Sequence, residues 1–169
     1  LRSQGIRLVL YVDDFLIAAQ PSCIVDHRDF VIQTLEELGF LINYDKCVLV
    51  PSTRAGFIGY IISSRGQDDT PWFYMLGAKI KRLKHDISRS LQKGYIYARV
   101  LAKICGQAIA MSKAIIPGKL KLRALYGLLG TKRSWSERLF INAAAQDQLV
   151  WWLDHVDEWN GAPLVIAKP

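Results

Sequence analysis

The sequence predicts an α+β fold in which antiparallel hairpins and one helix precede a lobe made only of helices. Two observations lead to this prediction. Up to about residue 63, short apolar runs alternate with turn residues, as they do in strands. From residue 76 to residue 160, apolar residues recur at helical spacing instead. The chain has 169 residues, 51% of them apolar, enough for one domain or for two small lobes.

The first element is an apolar run, residues 8–17, that contains the adjacent aspartates Asp13 and Asp14. Such a run is typical of a buried strand, where a carboxylate is costly unless it is paired, hydrogen-bonded or bound to metal. We therefore expect a hairpin with strands over about 7–12 and from Phe15 onward, and with both carboxylates at its turn. At a tight turn two carboxylates can approach one site, and their oxygen atoms suit Mg²⁺ or Mn²⁺.

One helix and three short strands are predicted after the hairpin. The helix covers about 24–38, with Ser22 as its N-cap and Gly39 as its stop. Its inner face is expected to carry Val31, Leu35 and Leu38. Apolar runs predict strands over 40–43, 47–50 and 57–62, the last two paired as a second hairpin. Asp68 and Asp69 have polar neighbours, which indicates a solvated loop.

Four helices are predicted in the second part of the chain. Apolar residues recur every three or four positions along the first, which ends at Gly94. The second covers about 98–111, and Pro117 suits the first turn of the third. Residues 134–137 (SWSE) match a capping box, so a long fourth helix is expected from there to about residue 159.

Charge is distributed unevenly along the chain. Residues 76–138 hold 15 Lys and Arg against only Asp86 and Glu137, although the net charge of the whole chain is +7. A segment this basic indicates a polyanionic partner. The alternative is a solvated helical face rich in lysine, although a face that serves only solubility usually mixes its signs.

Cysteine content and hydropathy bear on the cellular compartment of the protein and on its association with membranes. Cys23, Cys47 and Cys105 are odd in number, far apart and without a CxxC pair, which predicts free thiols in a reducing compartment. We therefore expect an intracellular protein, in the cytoplasm or the nucleus. No apolar run approaches the roughly 20 residues that a membrane span requires, so no membrane partner is expected. The two ends of the chain suggest a piece of a larger protein.

Three motifs follow one another in the first part of the chain. Residues 11–14 read YVDD at the predicted turn, residues 38–47 hold LGF, then Asn43 and Lys46-Cys47, and residues 57–60 read FIGY. In this order they resemble the active-site box, the segment after the catalytic hairpin and the primer-grip turn of reverse transcriptases. The basic helical segment follows where that family has its thumb.

The resemblance covers about residues 1–130 and is closest to retrotransposons of the long-terminal-repeat type. Residues 114–117 (AIIP) look most like the DIRS-like group, whose elements encode a tyrosine recombinase. In this family, residues 1–75 would be the second half of the palm and residues 76–133 the basic thumb. Residues 134–169 would be a long helix and a connection toward a further domain.

The resemblance implies an RNA-directed DNA polymerase. It would transfer a nucleotide from a deoxynucleoside triphosphate to the 3′-hydroxyl of a DNA primer on an RNA or DNA template, using two Mg²⁺ or Mn²⁺ ions. Asp13 and Asp14 would be catalytic metal ligands, and Lys46 would steady the departing pyrophosphate as a third catalytic residue. The residues implied to bind template and primer are Tyr11, Val12, Phe57, Ile58, Gly59, Tyr60, Lys79, Arg82, Lys84 and Arg89.

The family also has parts that this sequence does not match. Its third metal-binding aspartate and its fingers would lie before Leu1, so we expect the chain alone to be inactive. A palm without its other strands exposes a sheet edge, which favours self-association.

Two other functions stay open at this point. One is a non-catalytic module, derived from a polymerase and kept for nucleic-acid binding or assembly. The other is a metal hydrolase with two carboxylates, which is disfavoured because no histidine or further acid cluster accompanies the pair.

Overall fold

The computed structural model describes residues 1–65 and 70–164 and divides the chain into two compact units. The N-terminal unit is Leu1–Ile58, and the C-terminal unit is Gly59–Pro169. Antiparallel strand pairs and helices occur together, so the predicted α+β class is confirmed. Asp68 and Asp69, predicted to lie in a solvated loop, fall outside the described residues.

The N-terminal unit contains three strands and one helix. They are β1 (Arg7–Tyr11), β2 (Asp14–Ala18), α1 (Ile24–Glu37) and β3 (Arg54–Phe57), with 3-10 turns at Arg2–Gln4 and Tyr44–Lys46. The predicted hairpin is confirmed, because β1 and β2 pair antiparallel in a register that runs from Arg7 opposite Ala18 to Tyr11 opposite Asp14.

Helix α1 matches its prediction in length but not at its ends. Its N-cap is Cys23 and no side chain caps the first turn, so the prediction of Ser22 is wrong. Val31 is buried, whereas Leu38 lies beyond the helix and is 68% exposed. Only part of the predicted inner face therefore meets a neighbour.

The strands predicted over 40–43 and 47–50, and the hairpin that would use the second of them, are wrong. No strand occurs among residues 38–53. The Leu49 carbonyl instead accepts a hydrogen bond from the Arg28 guanidinium at 2.9 Å. A strand needs neighbouring backbone groups to bond, and β-favouring side chains cannot replace them. The strand predicted over 57–62 is also interrupted, because β3 ends at Phe57 and the next strand starts at Tyr60.

The C-terminal unit begins with an antiparallel sheet and continues as a helical lobe. Strands β4 (Tyr60–Ser63), β5 (Trp72–Met75) and β8 (Ala162–Pro163) form the sheet, in which β5 lies between the other two. Four helices follow β5 in the chain. They are α2 (Gly77–Lys93), α3 (Ala98–Met111), α4 (Arg123–Gly130), which follows a 3-10 segment at Ile116–Leu122, and α5 (Ala143–His155).

The four predicted helices are confirmed, because their apolar sides meet in one core. Gly94 ends α2 in the left-handed conformation, with φ of 70°, as expected for a helix stop. Pro117 lies at the start of the 3-10 segment and not of a regular α-helix. The largest fully buried side chains are Trp152, Leu83, Ile87, Ile96, Leu101, Ile104, Met111, Ile115, Leu122, Leu125, Leu149 and Val156.

The predicted start of the fourth helix is wrong. In residues 134–137, the Glu137 carboxylate accepts the backbone N–H of Ser134 at 3.3 Å, as in a capping box. The chain nevertheless continues into strand β7 (Arg138–Phe140), which pairs antiparallel with β6 (Tyr95–Tyr97). Helix α5 begins only at Ala143, where the Asn142 side chain accepts the Ala145 N–H at 2.9 Å. This strand pair also means that the lobe is not made of helices alone.

The prediction of no membrane span has one direct test. Among residues 1–65 and 70–164, no helix has the length and apolar character that crossing a bilayer requires.

Candidate active site

The tip of the β1–β2 hairpin is a two-residue turn. Tyr11 and Asp14 close it as the last pair of the ladder, and Val12 and Asp13 are its central residues. Val12 has a φ of 55°, whereas Asp13 has no positive φ, the sign pattern of a type II′ turn. Glycine is the usual residue at the first central position, and a β-branched residue there is strained by about 1–3 kcal/mol. The tip therefore holds a conformation that its own sequence does not favour.

The two carboxylates at this tip are exposed and adjacent. Among the described residues, neither the Asp13 nor the Asp14 carboxylate takes part in a hydrogen bond or an ion pair. Two like charges side by side repel, and a divalent cation would offset that repulsion. Mg²⁺ is commonly held through one or two carboxylates together with water and substrate phosphates, so the pair fits such an ion.

The donor set within the chain is nevertheless partial. Within residues 1–65 and 70–164, no group of three or more His, Cys, Asp or Glu side chains could hold a metal ion. The remaining ligands of an ion at Asp13 and Asp14 would have to come from water, substrate or other carboxylates. This composition suits an ion that works on a bound phosphate substrate better than a structural ion in a closed protein cage.

The expectation that the apolar run is buried is wrong. Leu10 is 52% exposed and Val12 is 81% exposed, and Tyr11 at the same tip is also open to solvent. The sheet here has two strands, and within the N-terminal unit α1 packs against β2. A single helix cannot cover both faces of a hairpin, so apolar side chains stay exposed on both.

Lys46 is not brought to the carboxylates. It ends the 3-10 turn at Tyr44–Lys46, where its backbone N–H donates to the Asn43 carbonyl at 3.1 Å. Its side chain is exposed, and none of its contacts among the described residues is with Asp13 or Asp14. The turn itself is tied to α1, because the Tyr44 hydroxyl donates to the Glu36 carboxylate, which raises the pKa of Tyr44.

The residues of the FIGY motif have different surroundings. Phe57 is buried at the end of β3, and Ile58 is half exposed with a φ of 42°. Gly59 has a φ of 86°, and a Cβ there would collide with the Lys79 amino group, so this lysine closely approaches the Gly59 backbone. Two residues implied to bind template and primer, Gly59 and Lys79, are thus adjacent.

Tyr60, the last residue of the motif, has a structural role in the C-terminal unit. Its hydroxyl donates to the Ala110 carbonyl, and its ring packs edge-on against Phe73 with the centroids 5.6 Å apart. Burial raises the pKa of Tyr60. The phenol is therefore a packing group, and its hydroxyl is already engaged.

The cations of α2 divide into paired and open side chains. Ile80, Leu83 and Ile87 form the buried side of the helix. Lys84 is ion-paired with Asp157. The open cations among those predicted to bind nucleic acid are Lys79, Arg82 and Arg89, and all three are exposed.

Arg82 and Arg89 are the best placed of the three to act together. They are seven residues apart, so they lie on the same side of α2 about two turns from each other. This side faces away from the buried residues of the helix. It is the part of the basic segment that is best arranged to contact phosphates.

Two features of possible functional use were not predicted from the sequence. One is the contact of Lys79 with Gly59, which joins residues 20 positions apart and has no local signal. The other is an outer face of the β6–β7 pair, which carries aromatic side chains and an arginine. Its signal, the alternation in residues 95–97 and 138–140, is only three residues long in each strand. That is too short to distinguish from chance.

Comparisons with models of protein families, with curated proteins and with solved structures found no match to this chain. The functional interpretation therefore depends on the residues themselves and on where the fold places them. Of the sites predicted, the acidic tip is the one at which two carboxylates follow a non-glycine residue with a positive φ.

Proposed function

We propose that the chain is part of an RNA-directed DNA polymerase of the retrotransposon type. The observation that supports this most is the acidic tip, where the carboxylates of Asp13 and Asp14 have no protein partner in the described residues and follow a residue held at positive φ. Strain of this kind is typical of functional sites, where the surrounding structure maintains an unfavourable conformation. The YVDD sequence at that turn adds the resemblance to reverse transcriptases.

Asp13 and Asp14 would hold Mg²⁺ or Mn²⁺. Such an ion, when bound, lowers the pKa of the attacking 3′-hydroxyl and neutralises charge on the phosphates. Val12 and Tyr11, exposed at the tip, would contact the end of the primer or its template base. Lys46 would act on the departing pyrophosphate, which requires the 3-10 turn that carries it to face the same substrate.

The helical lobe would hold the template and primer through phosphates. Arg82, Arg89 and Lys79 are exposed and would make contacts that position a duplex without reading its sequence. Such binding should weaken steeply as salt rises. Lys84 contributes less in this proposal, because Asp157 already pairs with it.

The family-based division into palm, thumb and connection belongs to the same proposal. So does the expectation that residues 1–169 alone do not extend a primer, because the resemblance places a third aspartate and the fingers outside them. Deoxynucleoside triphosphates, nucleic-acid substrates and three free cysteines fit an intracellular protein.

A non-catalytic nucleic-acid-binding or assembly module is the second candidate. One observation favours it, since Lys79, Arg82 and Arg89 are exposed and can contact phosphates without a metal ion. The two proposals differ in the acidic tip. A polymerase requires a metal ion there, and a module does not.

Metal binding by the isolated chain separates them without a catalytic assay. We expect small additions of Mn²⁺ to broaden the amide NMR signals of residues 11–15 before any others, because the unpaired electrons of the ion relax nearby nuclei. Asp13→Asn should abolish this selectivity. Asp45→Asn, an exposed aspartate in the same unit, is the matched control and should leave it unchanged.

Broadening that spreads evenly over the acidic residues, or that survives Asp13→Asn, would contradict the polymerase assignment of the tip. The module would then be the better proposal. Amide shifts elsewhere in the Asp13→Asn spectrum show whether the hairpin keeps its fold.

A further inference from the structure

The β6–β7 pair has one buried face and one open face. Tyr95 lies opposite Phe140, Ile96 opposite Leu139, and Tyr97 opposite Arg138. Side chains alternate between the two faces of a sheet. Ile96 and Leu139 are buried and belong to the core. The remaining four residues, Tyr95, Tyr97, Arg138 and Phe140, therefore share the outer face, which we call the aromatic platform.

Arg138 is held on this platform by aromatic rings. Its guanidinium carbon lies 5.1 Å from the centre of the Tyr95 ring and 5.6 Å from that of Tyr97. Its Nε donates to the Tyr97 hydroxyl at 3.2 Å, and Arg138 lowers the pKa of that hydroxyl. Among the described residues, no carboxylate pairs with Arg138. The positive charge is thus positioned but not neutralised, which suits an incoming anion.

Phe140 is the open part of the platform. It is 79% exposed, although it lies in a strand whose middle residue is buried. Next to this strand in the chain, Trp135 is half exposed, and the Lys132 amino group lies 4.5 Å from the centre of its ring. Aromatic rings and cations therefore alternate along one short stretch of the chain, residues 132–140.

Residues 76–138, which include three of the four platform residues, are strongly basic and favour an anionic partner. The two acidic residues of the segment 76–138 are both engaged. Asp86 pairs with Lys103 at 2.6 Å, and the Glu137 carboxylate accepts the backbone N–H groups of Arg133 and Ser134. Lys93 is close enough to Tyr97 to lower the pKa of its hydroxyl. An acidic or nucleic-acid ligand would meet attraction here, whereas a basic one would be repelled.

We infer that the aromatic platform binds single-stranded nucleic acid, with a base stacked on Phe140 and the adjoining phosphates near Arg138 and Lys93. An exposed ring beside fixed cations is how sequence-tolerant single-strand binders work, because every base has a face to stack. In a duplex the base faces are already stacked on each other and cannot reach Phe140. The platform residues are different from those of the acidic tip and from Lys79, Arg82 and Arg89, and the inference does not depend on polymerase activity.

Fluorescence anisotropy with the whole chain tests this inference. The probes are fluorescein-labelled 12-nucleotide oligo-dT and oligo-rU, and a duplex of equal length. We expect Phe140→Ala to weaken single-strand binding by about 5- to 100-fold, the range of one lost base–aromatic stack. Phe140→Tyr keeps an aromatic ring and should bind as the unchanged chain does.

Leu120→Ala is the matched control, since Leu120 is apolar and 77% exposed elsewhere in the same unit. Leu120→Ala should leave single-strand affinity unchanged. Duplex affinity should change little in Phe140→Ala. The midpoint of unfolding by urea, followed by tryptophan fluorescence, shows that the C-terminal unit of each variant is folded.

Several results would overturn the inference. They are absence of saturable single-strand binding at low salt, unchanged affinity of Phe140→Ala, a loss in Leu120→Ala as large as that in Phe140→Ala, and an equal loss of duplex binding. Weak binding by Phe140→Tyr would also count against it, because stacking would then not be the source of the affinity. If the urea midpoint of Phe140→Ala is lower, Phe140→Leu is used in its place. This variant keeps apolar bulk and should still lose single-strand affinity.

Discussion

The two units of the chain differ in how far they bury their apolar residues. In the C-terminal unit, apolar sides of four helices and of strands β5, β6 and β7 meet in one continuous core. In the N-terminal unit, the buried apolar side chains among the described residues are Ile6, Val31 and Phe57. Its share of apolar residues is no lower, but many of them face solvent. Composition alone therefore does not separate the two units, whereas burial does.

This difference in burial indicates which elements stabilise each unit. The C-terminal unit has helices at its centre, and each helix satisfies its own backbone before it packs. The N-terminal unit depends on a two-stranded hairpin, which is marginally stable in water unless further strands or helices cover it. The candidate metal site is in the less stable unit, and the aromatic platform is in the more stable one.

Leu101→Ala is expected to have the largest effect. Leu101 is fully buried in the core of the C-terminal unit. Its truncation should lower the free energy of unfolding of that unit by about 2–5 kcal/mol, because the removed atoms leave a cavity. Urea unfolding followed by tryptophan fluorescence measures this unit alone, since Trp72, Trp135, Trp151, Trp152 and Trp159 all belong to it.

Leu10→Ala makes the same truncation in the N-terminal unit. Because Leu10 is 52% exposed, the free energy of opening of the β1–β2 amides, from hydrogen exchange, should fall by less than about 1 kcal/mol. A loss of free energy as large as that in Leu101→Ala would contradict the contrast between the two units. It would mean that the apolar residues of the hairpin are covered in solution.

The same contrast explains which predictions from the sequence succeeded. Helices α2 and α3 were predicted closely, because their spacing and the stop at Gly94 are local signals. The strands predicted over 40–43 and 47–50 failed, because a strand depends on a partner that local residues cannot specify. The start of α5 was misplaced for a related reason. Both Ser134 and Asn142 suit an N-cap, and the pairing of β6 with β7 decides between them.

The candidate site was predictable only in part. The acidic pair and its turn follow from the run of residues 8–17, since charges inside a β-favouring sequence indicate a hairpin tip. The positive φ of Val12 does not, because residue type argues against it. The approach of Lys79 to Gly59 and the arrangement of the platform join distant positions, and no local pattern encodes them.

Gly118→Ala is expected to have the second largest effect. A Cβ at Gly118 would lie 2.7 Å from Cη2 of Trp152, a fully buried ring that also donates its N–H to the Lys121 carbonyl. The clash should lower the free energy of unfolding of the C-terminal unit by about 1–3 kcal/mol, measured by urea unfolding. Such a loss would show that the core of the C-terminal unit is closely packed at this position, in contrast to the exposed apolar residues of the N-terminal unit.

Gly106→Ala is the control for this change. Gly106 lies inside α3, and a Cβ there meets no atom within 4 Å. Alanine should therefore raise the free energy of unfolding by about 0.5–1 kcal/mol through helix propensity. Destabilisation by both variants, to the same extent, would show that the effect at position 118 comes from the backbone and not from Trp152.

Val12→Gly is expected to have a smaller effect than Leu101→Ala and Gly118→Ala, and it concerns the other unit. Val12 has a φ of 55° at the hairpin tip, so glycine would relieve strain of about 1–3 kcal/mol. The greater freedom of glycine in the unfolded chain offsets about 0.5–1 kcal/mol of this gain. Hydrogen exchange of the β1–β2 amides should thus show an opening free energy raised by about 1 kcal/mol. Val9→Gly, in the middle of β1, should lower it instead.

A stabilising effect of Val12→Gly would show that the hairpin tip of the N-terminal unit is strained. The less stable unit would then carry an avoidable strain beside Asp13 and Asp14, which is expected where a conformation is kept for chemistry and not for folding. Equal destabilisation by Val12→Gly and Val9→Gly would show the opposite. The turn would then be an ordinary part of a weak hairpin, and the acidic pair would lose the structural feature that distinguishes it from a solvated loop.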